Sequence, residues 1–214
     1  MALIMYLTRT PRHENVTMKD IKLIESYFRW QHEKEIGSKY ASDTFDKWCG
    51  HSEAELPVSE VIEYYKPFYS KKATYIEGVG KSEGYSVCEL LARLVKTNQI
   101  FNWFISNVMN GNVDKEYYEV TKEQLLSLYD TCKKVQCSFK LIGKNKYTNE
   151  DEYEVDEKIA KELLPFMDEV GYFFGPRVYG ELYVEQVIKI IDVVDQILTT
   201  TDFKKQIIYF NATW

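Results

Sequence analysis

The stretch VCELLARLVKTNQIFNWFISNV, residues 87 to 108, decides the fold because it carries the strongest helical periodicity in the chain. Its repeat at intervals of three and four residues runs through Val87, Leu90, Leu91, Leu94, Asn98, Phe101, Ile105 and Val108. Such spacing places one stripe on a helix of about six turns, which Gly111 then closes. We therefore predict one long helix here, at the centre of a helical bundle.

Further helices are predicted on both sides of this stretch, because capping residues precede apolar repeats. The caps are Thr17 with Asp20, Ser59, Thr121 with Gln124, and Asp156. In the two paired caps, each side chain accepts a hydrogen bond from the other residue's backbone N–H. Residues 43–49 predict a shorter helical piece, and the apolar repeat from Val184 to Leu198 predicts the last helix.

Extended segments are predicted to be few and short, near residues 74, 140 and 208. The fold class is therefore predicted to be α+β and mainly helical, an amphipathic helix bundle with a few short strands. The glycine-punctuated stretch 72–84 is the best candidate boundary. It separates an N-terminal helical region, residues 1–84, from a helical α+β domain, residues 85–214; one compact unit is the alternative.

The composition of the chain excludes several classes of protein. The formal net charge is -6, whereas nucleic-acid backbones are bound by clustered Lys and Arg, so no direct nucleic-acid binding is expected. No apolar run reaches the roughly 18 residues that span a bilayer, so no membrane association is expected. The start, MALIMYLTRTPRHEN, has too short an apolar stretch for a signal peptide. These features predict a cytoplasmic protein.

No pattern in the chain predicts a catalytic residue, a metal ligand or a cofactor. All three histidines lie within the first 51 residues, far from most candidate nucleophiles. Cys49 and His51 are one residue apart, unlike the cysteine pairs of structural zinc sites. The sequence GVGKSEG at 78–84 has Tyr75 where a P-loop needs its first glycine. We therefore assign no catalytic residue, no metal ligand and no cofactor from the sequence, and we favour a protein that is not an enzyme.

The run EDEYEVDE at 150–157 is the first candidate binding feature. Its six acids are Glu150, Asp151, Glu152, Glu154, Asp156 and Glu157. Such a run imitates the spaced phosphates of a nucleic acid and attracts a basic groove on another protein. The alternative interpretation is a solvated hairpin arm that leads into a negatively charged helix start.

The stretch GYFFGPRVYGELY at 171–183 is the second candidate. One interpretation is a ligand loop in which aromatic rings stack on a ligand and Arg177 pairs with its anionic group. The rings are those of Tyr172, Phe173, Phe174 and Tyr179. The other interpretation, which we favour, is a loop that packs on itself, with glycines that permit tight turns. Trp214, the last residue, is either docked on the domain or presented to a partner.

Three stretches resemble a family of uncharacterised proteins found in tailed phages, prophages and the bacteria that carry them. LVKTNQIFNWFISNVMNG at 94–111 is similar to the family's WRKANxIHxWFVxNVQNG, and EYYEVTKEQLLSLYDTCKKV at 116–135 is the second stretch. The third stretch is AKELLPFMDEVGYFFGPRVYGELYVEQVIKIIDVVDQIL at 160–198, which is similar to the family's AxELLPTxxGFFFGSTxYDExYYEDLxxTIExLEKIL. The chain then continues to TDFKKQIIYFNATW, which is similar to the family's terminal aromatic-x-S-S-W. The resemblance covers roughly the C-terminal 120 residues. Pro176 and Arg177 stand where the family has Ser and Thr.

The resemblance implies phage or prophage origin and no established activity. With the acidic balance and 17 tyrosines, which suit protein interfaces, it leads us to expect a non-enzymatic accessory protein. The expected partner is a host protein in the bacterial cytoplasm, such as a nuclease of a CRISPR defence system that the chain would inhibit. The alternatives are a binder or hydrolase of a small nucleotide-like ligand, and a structural module that forms homo-oligomers.

Overall fold

The computed structural model describes residues 2–39, 42–45, 56–76, 80–144, 146–147, 149–168 and 172–214. The short helix predicted at 43–49 lies mostly outside these residues, as do Cys49 and His51. The predicted fold class is confirmed: the protein is α+β and mainly helical, with 45% of residues in helices and 22% in strands.

Six α-helices and eight β-strands are found among the described residues. The helices are α1 (Met18–Glu35), α2 (Ser59–Tyr65), α3 (Asn98–Asn107), α4 (Lys122–Gln136), α5 (Glu157–Leu163) and α6 (Glu181–Thr200). The strands are β1 (Ile4–Pro11), β2 (Ser70–Ile76), β3 (Gly80–Ser86), β4 (Glu89–Val95), β5 (Tyr118–Val120), β6 (Lys140–Lys144), β7 (Asp151–Glu154) and β8 (Gln206–Thr213). None of these helices is long and apolar enough to cross a membrane.

The single long helix predicted for residues 87–108 is wrong, because its first half is strand β4. The burial of Ala92 and Leu94 alternates with partly exposed neighbours, which is the two-residue period of a strand. Lys96 then adopts a φ of 56°, outside the helical region, and α3 begins two residues later. Leu90, Leu91 and Leu94 also match the spacing of a helix, which explains the wrong prediction.

A four-stranded sheet with the order β4-β1-β8-β5 contains the first and the last of the described strands side by side. The strand predicted near residue 208 is confirmed as β8, whose register with β5 pairs Tyr118 with Phe210. Strand β1 was not predicted. Its residues Met5 and Leu7 are buried. The surrounding apolar stretch is short and does not alternate regularly with polar residues, so it does not indicate a strand.

Two hairpins complete the strand inventory of the described residues. Strands β2 and β3 pair antiparallel, which confirms the strand predicted near residue 74. Strands β6 and β7 also pair antiparallel, with Lys140 opposite Glu154 and Lys144 opposite Asp151. This second hairpin confirms the extended segment predicted near residue 140, and its second arm contains Asp151, Glu152 and Glu154 of the acidic run.

The structure confirms three of the four helix caps predicted from the sequence. Thr17 with Asp20 and Thr121 with Gln124 form reciprocal capping boxes at α1 and α4. The side chain of Asp156 accepts hydrogen bonds from two N–H groups of α5. The Ser59 cap is wrong, because Ser59 is already the first residue of α2 and Val58 precedes it without a side-chain cap.

The chain divides into two compact units. Unit 1 comprises Met1–Leu7, Leu91–Phe203 and Ile208–Trp214, and unit 2 comprises Thr8–Leu90 and Lys204–Ile207. In unit 1, α4 and α6 pack against each other, and α3 supplies Phe104, whose ring stacks on Phe210 at a centroid distance of 3.9 Å. In unit 2, the buried face of α1 is formed by Met18, Ile21, Ile24 and Phe28.

Candidate functional site

The acidic run of the sequence is divided between three structural roles. Asp151 and Glu154 on β7 lie opposite lysines of β6, with Asp151 Oδ1 3.4 Å from Lys144 Nζ and Glu154 Oε2 3.9 Å from Lys140 Nζ. Asp156 caps α5, and Glu157 in the first turn of that helix lies 2.6 Å from Lys161 Nζ. Glu152 is half-buried on β7. The run is therefore partly local structure, and its beginning faces a groove.

We call this groove of unit 1 the acidic groove. Its volume is about 340 Å³, and its lining residues are Glu150, Asp151, Tyr153, Glu181, Val184, Glu185 and Ile188. Four of the seven are carboxylates, two from the hairpin arm and two from the first turns of α6. Val184 is buried and Tyr153 and Ile188 are half-buried, so an apolar floor lies between acidic walls.

The acidic groove is not built as a cation-chelating site. No group of three or more His, Cys, Asp or Glu side chains in the described part of the chain is arranged to hold a metal ion. The carboxylates are therefore spread along the groove. Spaced carboxylates beside apolar surface are complementary to Lys and Arg side chains, whose long apolar stems carry a charge at the end.

The hairpin that forms one wall of the acidic groove also exposes large apolar side chains. Leu141 is 58% exposed, Ile142 59% and Tyr147 97%. Strand β6 is exposed at every position, and β6 and β7 pair only with each other in the described structure. Exposed apolar residues beside a charged rim are typical of interaction surfaces.

The aromatic loop is divided between packing and exposure. The Phe174 ring packs on Phe101 and Trp214 at centroid distances of 6.1 and 6.0 Å, and Trp214 lies 5.6 Å from Phe101. Trp214 is thus docked on unit 1, and Lys115 Nζ lies 5.5 Å from its ring centroid. Phe173, by contrast, is 56% exposed, and Tyr172 lies with it in a short 3-10 turn.

The last members of the loop border a second groove, which we call the aromatic groove. Its volume is about 690 Å³, and its lining residues are Lys161, Pro165, Phe166, Asp168, Arg177, Val178 and Tyr179. Arg177 and Tyr179 were candidates from the sequence, whereas Lys161 and Phe166 were not. The Phe166 and Tyr179 rings contact each other, with centroids 4.6 Å apart.

A buried carboxylate in unit 2 is the strongest polar feature of the described chain. Glu25 Oε1 accepts hydrogen bonds from the Ser86 hydroxyl and, at 2.8 Å each, from the backbone N–H groups of Val87 and Cys88. Its other oxygen lies 2.8 Å from Lys22 Nζ. Burial alone would raise the pKa of Glu25, but Lys22 and the donors outweigh it, so the pKa lies below its ordinary value.

This network does not activate Cys88. Burial, followed by the charge of Glu25, raises the pKa of the Cys88 thiol to about 12. A thiol is nucleophilic as the thiolate, so Cys88 is unreactive at neutral pH. Burial also raises the pKa of Cys132, which lies on the buried face of α4, to about 12. The Glu25 network therefore holds the turn before β4 in place.

Comparison with known protein families, with curated proteins and with solved structures finds no match for this chain. The phage-family resemblance therefore stays an expectation drawn from the sequence.

Parts of both grooves come from elements that the sequence did not single out. Glu181 and Glu185 are four residues apart on α6, the spacing that puts two side chains on one helix face, and this was the available signal. Lys161 and Phe166 gave no comparable signal, because no sequence spacing links them to Arg177, with which they line one groove.

Proposed function

We propose that this chain is a phage- or prophage-encoded, non-enzymatic accessory protein that binds a basic region of a host protein. The acidic groove carries the proposal, because four carboxylates flank an apolar floor beside an exposed apolar hairpin. Such a surface is complementary in charge to Lys- and Arg-rich protein surfaces, and its apolar parts contribute the burial that a stable complex needs.

Charge placement supports the same partner class. The acidic excess of the chain lies in unit 1, whereas unit 2 has as many basic as acidic residues. Long-range attraction of a basic partner is therefore directed to the unit that contains the acidic groove. A bacterial nuclease guided by RNA holds its heteroduplex in a positively charged channel, so a CRISPR effector is a concrete host partner of the required chemistry.

The first test is phage plating on bacteria that carry an active CRISPR system and on matched bacteria that lack it. Expression of the wild-type chain is expected to raise plating on the defended host only. Binding of the purified chain to the corresponding effector is measured by calorimetry in parallel. No protection on any defended host, together with no binding to the effectors, would refute the proposal.

The Glu181→Lys/Glu185→Lys double variant is expected to bind the effector at least about tenfold more weakly than the wild type. The α6 wall of the acidic groove then repels the basic partner instead of attracting it. The matched control is Asp192→Lys/Asp195→Lys, which makes the same charge change at exposed positions further along α6. Equal weakening by both double variants would point to net charge, and not to the acidic groove, as the cause.

A structural oligomerisation module remains the alternative from another class. The exposed apolar residues of the β6–β7 hairpin would then contact a second copy of the chain. Measuring the molecular mass in solution distinguishes this alternative from the host-protein binder. If the protein has the mass of a monomer at every concentration, the oligomerisation module is excluded.

A further inference from the structure

We propose that the aromatic groove is a second binding site, separate from the acidic groove, and that it takes a nucleoside monophosphate. The site combines two cations, two aromatic rings and one carboxylate in a groove of about 690 Å³. That volume lies in the range of pockets that bind small molecules, about 300 to 1,000 Å³.

The cations suit a single phosphate group. The exposed Arg177 guanidinium has no hydrogen-bond or ion-pair partner within the described structure, so its planar fork is available for two parallel bonds to phosphate oxygens. Lys161 Nζ, which is paired with Glu157, lies 5.5 Å from the centroid of the Tyr179 ring at the same groove. Asp168 adds one negative charge, which disfavours di- and triphosphates and offers an acceptor for sugar hydroxyls.

The rings suit a flat base. Phe166 and Tyr179 contact each other at a tilt of 44°, and Tyr179 also contacts the buried ring of Tyr183 at 5.0 Å. A base that stacks on this cluster adds one more ring to an existing group of aromatic side chains. When the stacking residue is replaced by alanine, such a contact typically costs about 1 to 3 kcal/mol of binding free energy per base. Burial raises the pKa of Tyr179, so its hydroxyl stays protonated at neutral pH and can donate a hydrogen bond.

The floor of the groove is held in place without a ligand. Three side chains bind the backbone of residues 164–167 in succession. The bonds are Tyr183 Oη to the Leu164 carbonyl at 3.2 Å, Asn102 Nδ2 to the Pro165 carbonyl at 3.2 Å, and the Met167 N–H to Asn98 Oδ1 at 3.3 Å. A preformed site loses less conformational entropy when a small ligand binds.

The test is calorimetry and thermal shift of the full chain with AMP, GMP, CMP and UMP, with adenosine and inorganic phosphate as partial ligands. At least one monophosphate is expected to bind with a Kd below about 1 mM, and more tightly than either partial ligand. Arg177→Gln is expected to weaken this binding at least about tenfold. Lys158→Gln, an exposed lysine of α5 that does not line the groove, is the matched control.

Several outcomes would overturn the proposal. They are no binding by any of the four monophosphates, equal binding by Arg177→Gln and the wild type, and equal loss in Lys158→Gln. The Glu181→Lys/Glu185→Lys variant separates the two sites, because it is expected to bind the monophosphate as the wild type does. In the wild-type chain, effector binding without monophosphate binding overturns this inference alone, and monophosphate binding without effector binding overturns the proposed function alone.

Discussion

The Glu25→Ala variant is expected to lose about 3 to 5 kcal/mol of unfolding free energy, because three buried donors lose their acceptor and each unsatisfied donor costs about 1 to 3 kcal/mol. The Ser86 hydroxyl and two backbone N–H groups would lose their acceptor inside unit 2, and Lys22 would lose its counter-ion. Unsatisfied buried donors cost the full loss of their hydration. Urea unfolding followed by circular dichroism measures the change.

Two further variants give this expectation its controls. Glu35→Ala removes an exposed carboxylate from the end of the same helix, and its effect is expected to stay within about 0.5 kcal/mol. Glu25→Gln keeps one acceptor oxygen but loses the charge, so an intermediate loss is expected. If Glu25→Ala were no more destabilised than Glu35→Ala, the buried network would have no role in stability.

The same carboxylate predicts how stability depends on pH. Its pKa in the folded protein lies below the ordinary value of 4.5, so the ionised form favours folding. This contribution is fully present above pH 4.5 and is lost as the pH falls through the lower folded pKa. Wild-type unfolding free energy is therefore expected to fall more steeply below pH 4.5 than that of Glu25→Gln. Parallel slopes in urea titrations from pH 7 to pH 3 would contradict this.

The second large effect is expected at Gly175, which follows the short 3-10 turn of the aromatic loop. Its φ is 106°, and a Cβ placed there would overlap the Lys96 carbonyl oxygen and lie 3.0 Å from the carbonyl carbon. Gly175→Ala therefore combines backbone strain with overpacking, each about 1 to 3 kcal/mol. We expect a total loss of about 2 to 6 kcal/mol of unfolding free energy, measured by urea unfolding.

Gly143 provides the matched control for this substitution. It lies in β6, and nothing within 4 Å would meet a Cβ at that position. Gly143→Ala is expected to change the unfolding free energy by less than about 0.5 kcal/mol. A Gly175→Ala variant as stable as Gly143→Ala would show that the loop does not need the close approach to Lys96.

Local signals were sufficient for much of the fold. The capping boxes of Thr17 and Thr121 depend on residues three positions apart, and the structure reproduces both. Strand β4 was wrongly predicted as helix because its extended conformation depends on pairing with β1, which lies about 85 residues earlier in the sequence. Sequence spacing contains no information on such a neighbour.

The candidate sites show the same division between local and distant information. The acidic run of residues 150–157 was visible in the sequence, but the other wall of the acidic groove comes from α6. Arg177 and Tyr179 were visible in their loop, but Lys161 and Phe166 reach them only through the fold. Nothing in the sequence singled out Glu25, because the hydrogen-bond donors at Ser86, Val87 and Cys88 are 61 to 63 residues away.

The strand order has a consequence for how the protein is made. Strand β8 is synthesised after the other described strands, and it lies between β1 and β5 in the finished sheet. Until residues 206–213 leave the ribosome, β1 and β5 each lack this partner, and an unpaired strand edge invites association with other chains. A chain truncated before Gln206 is therefore expected to aggregate or to be degraded. It is not expected to fold into a shorter functional protein.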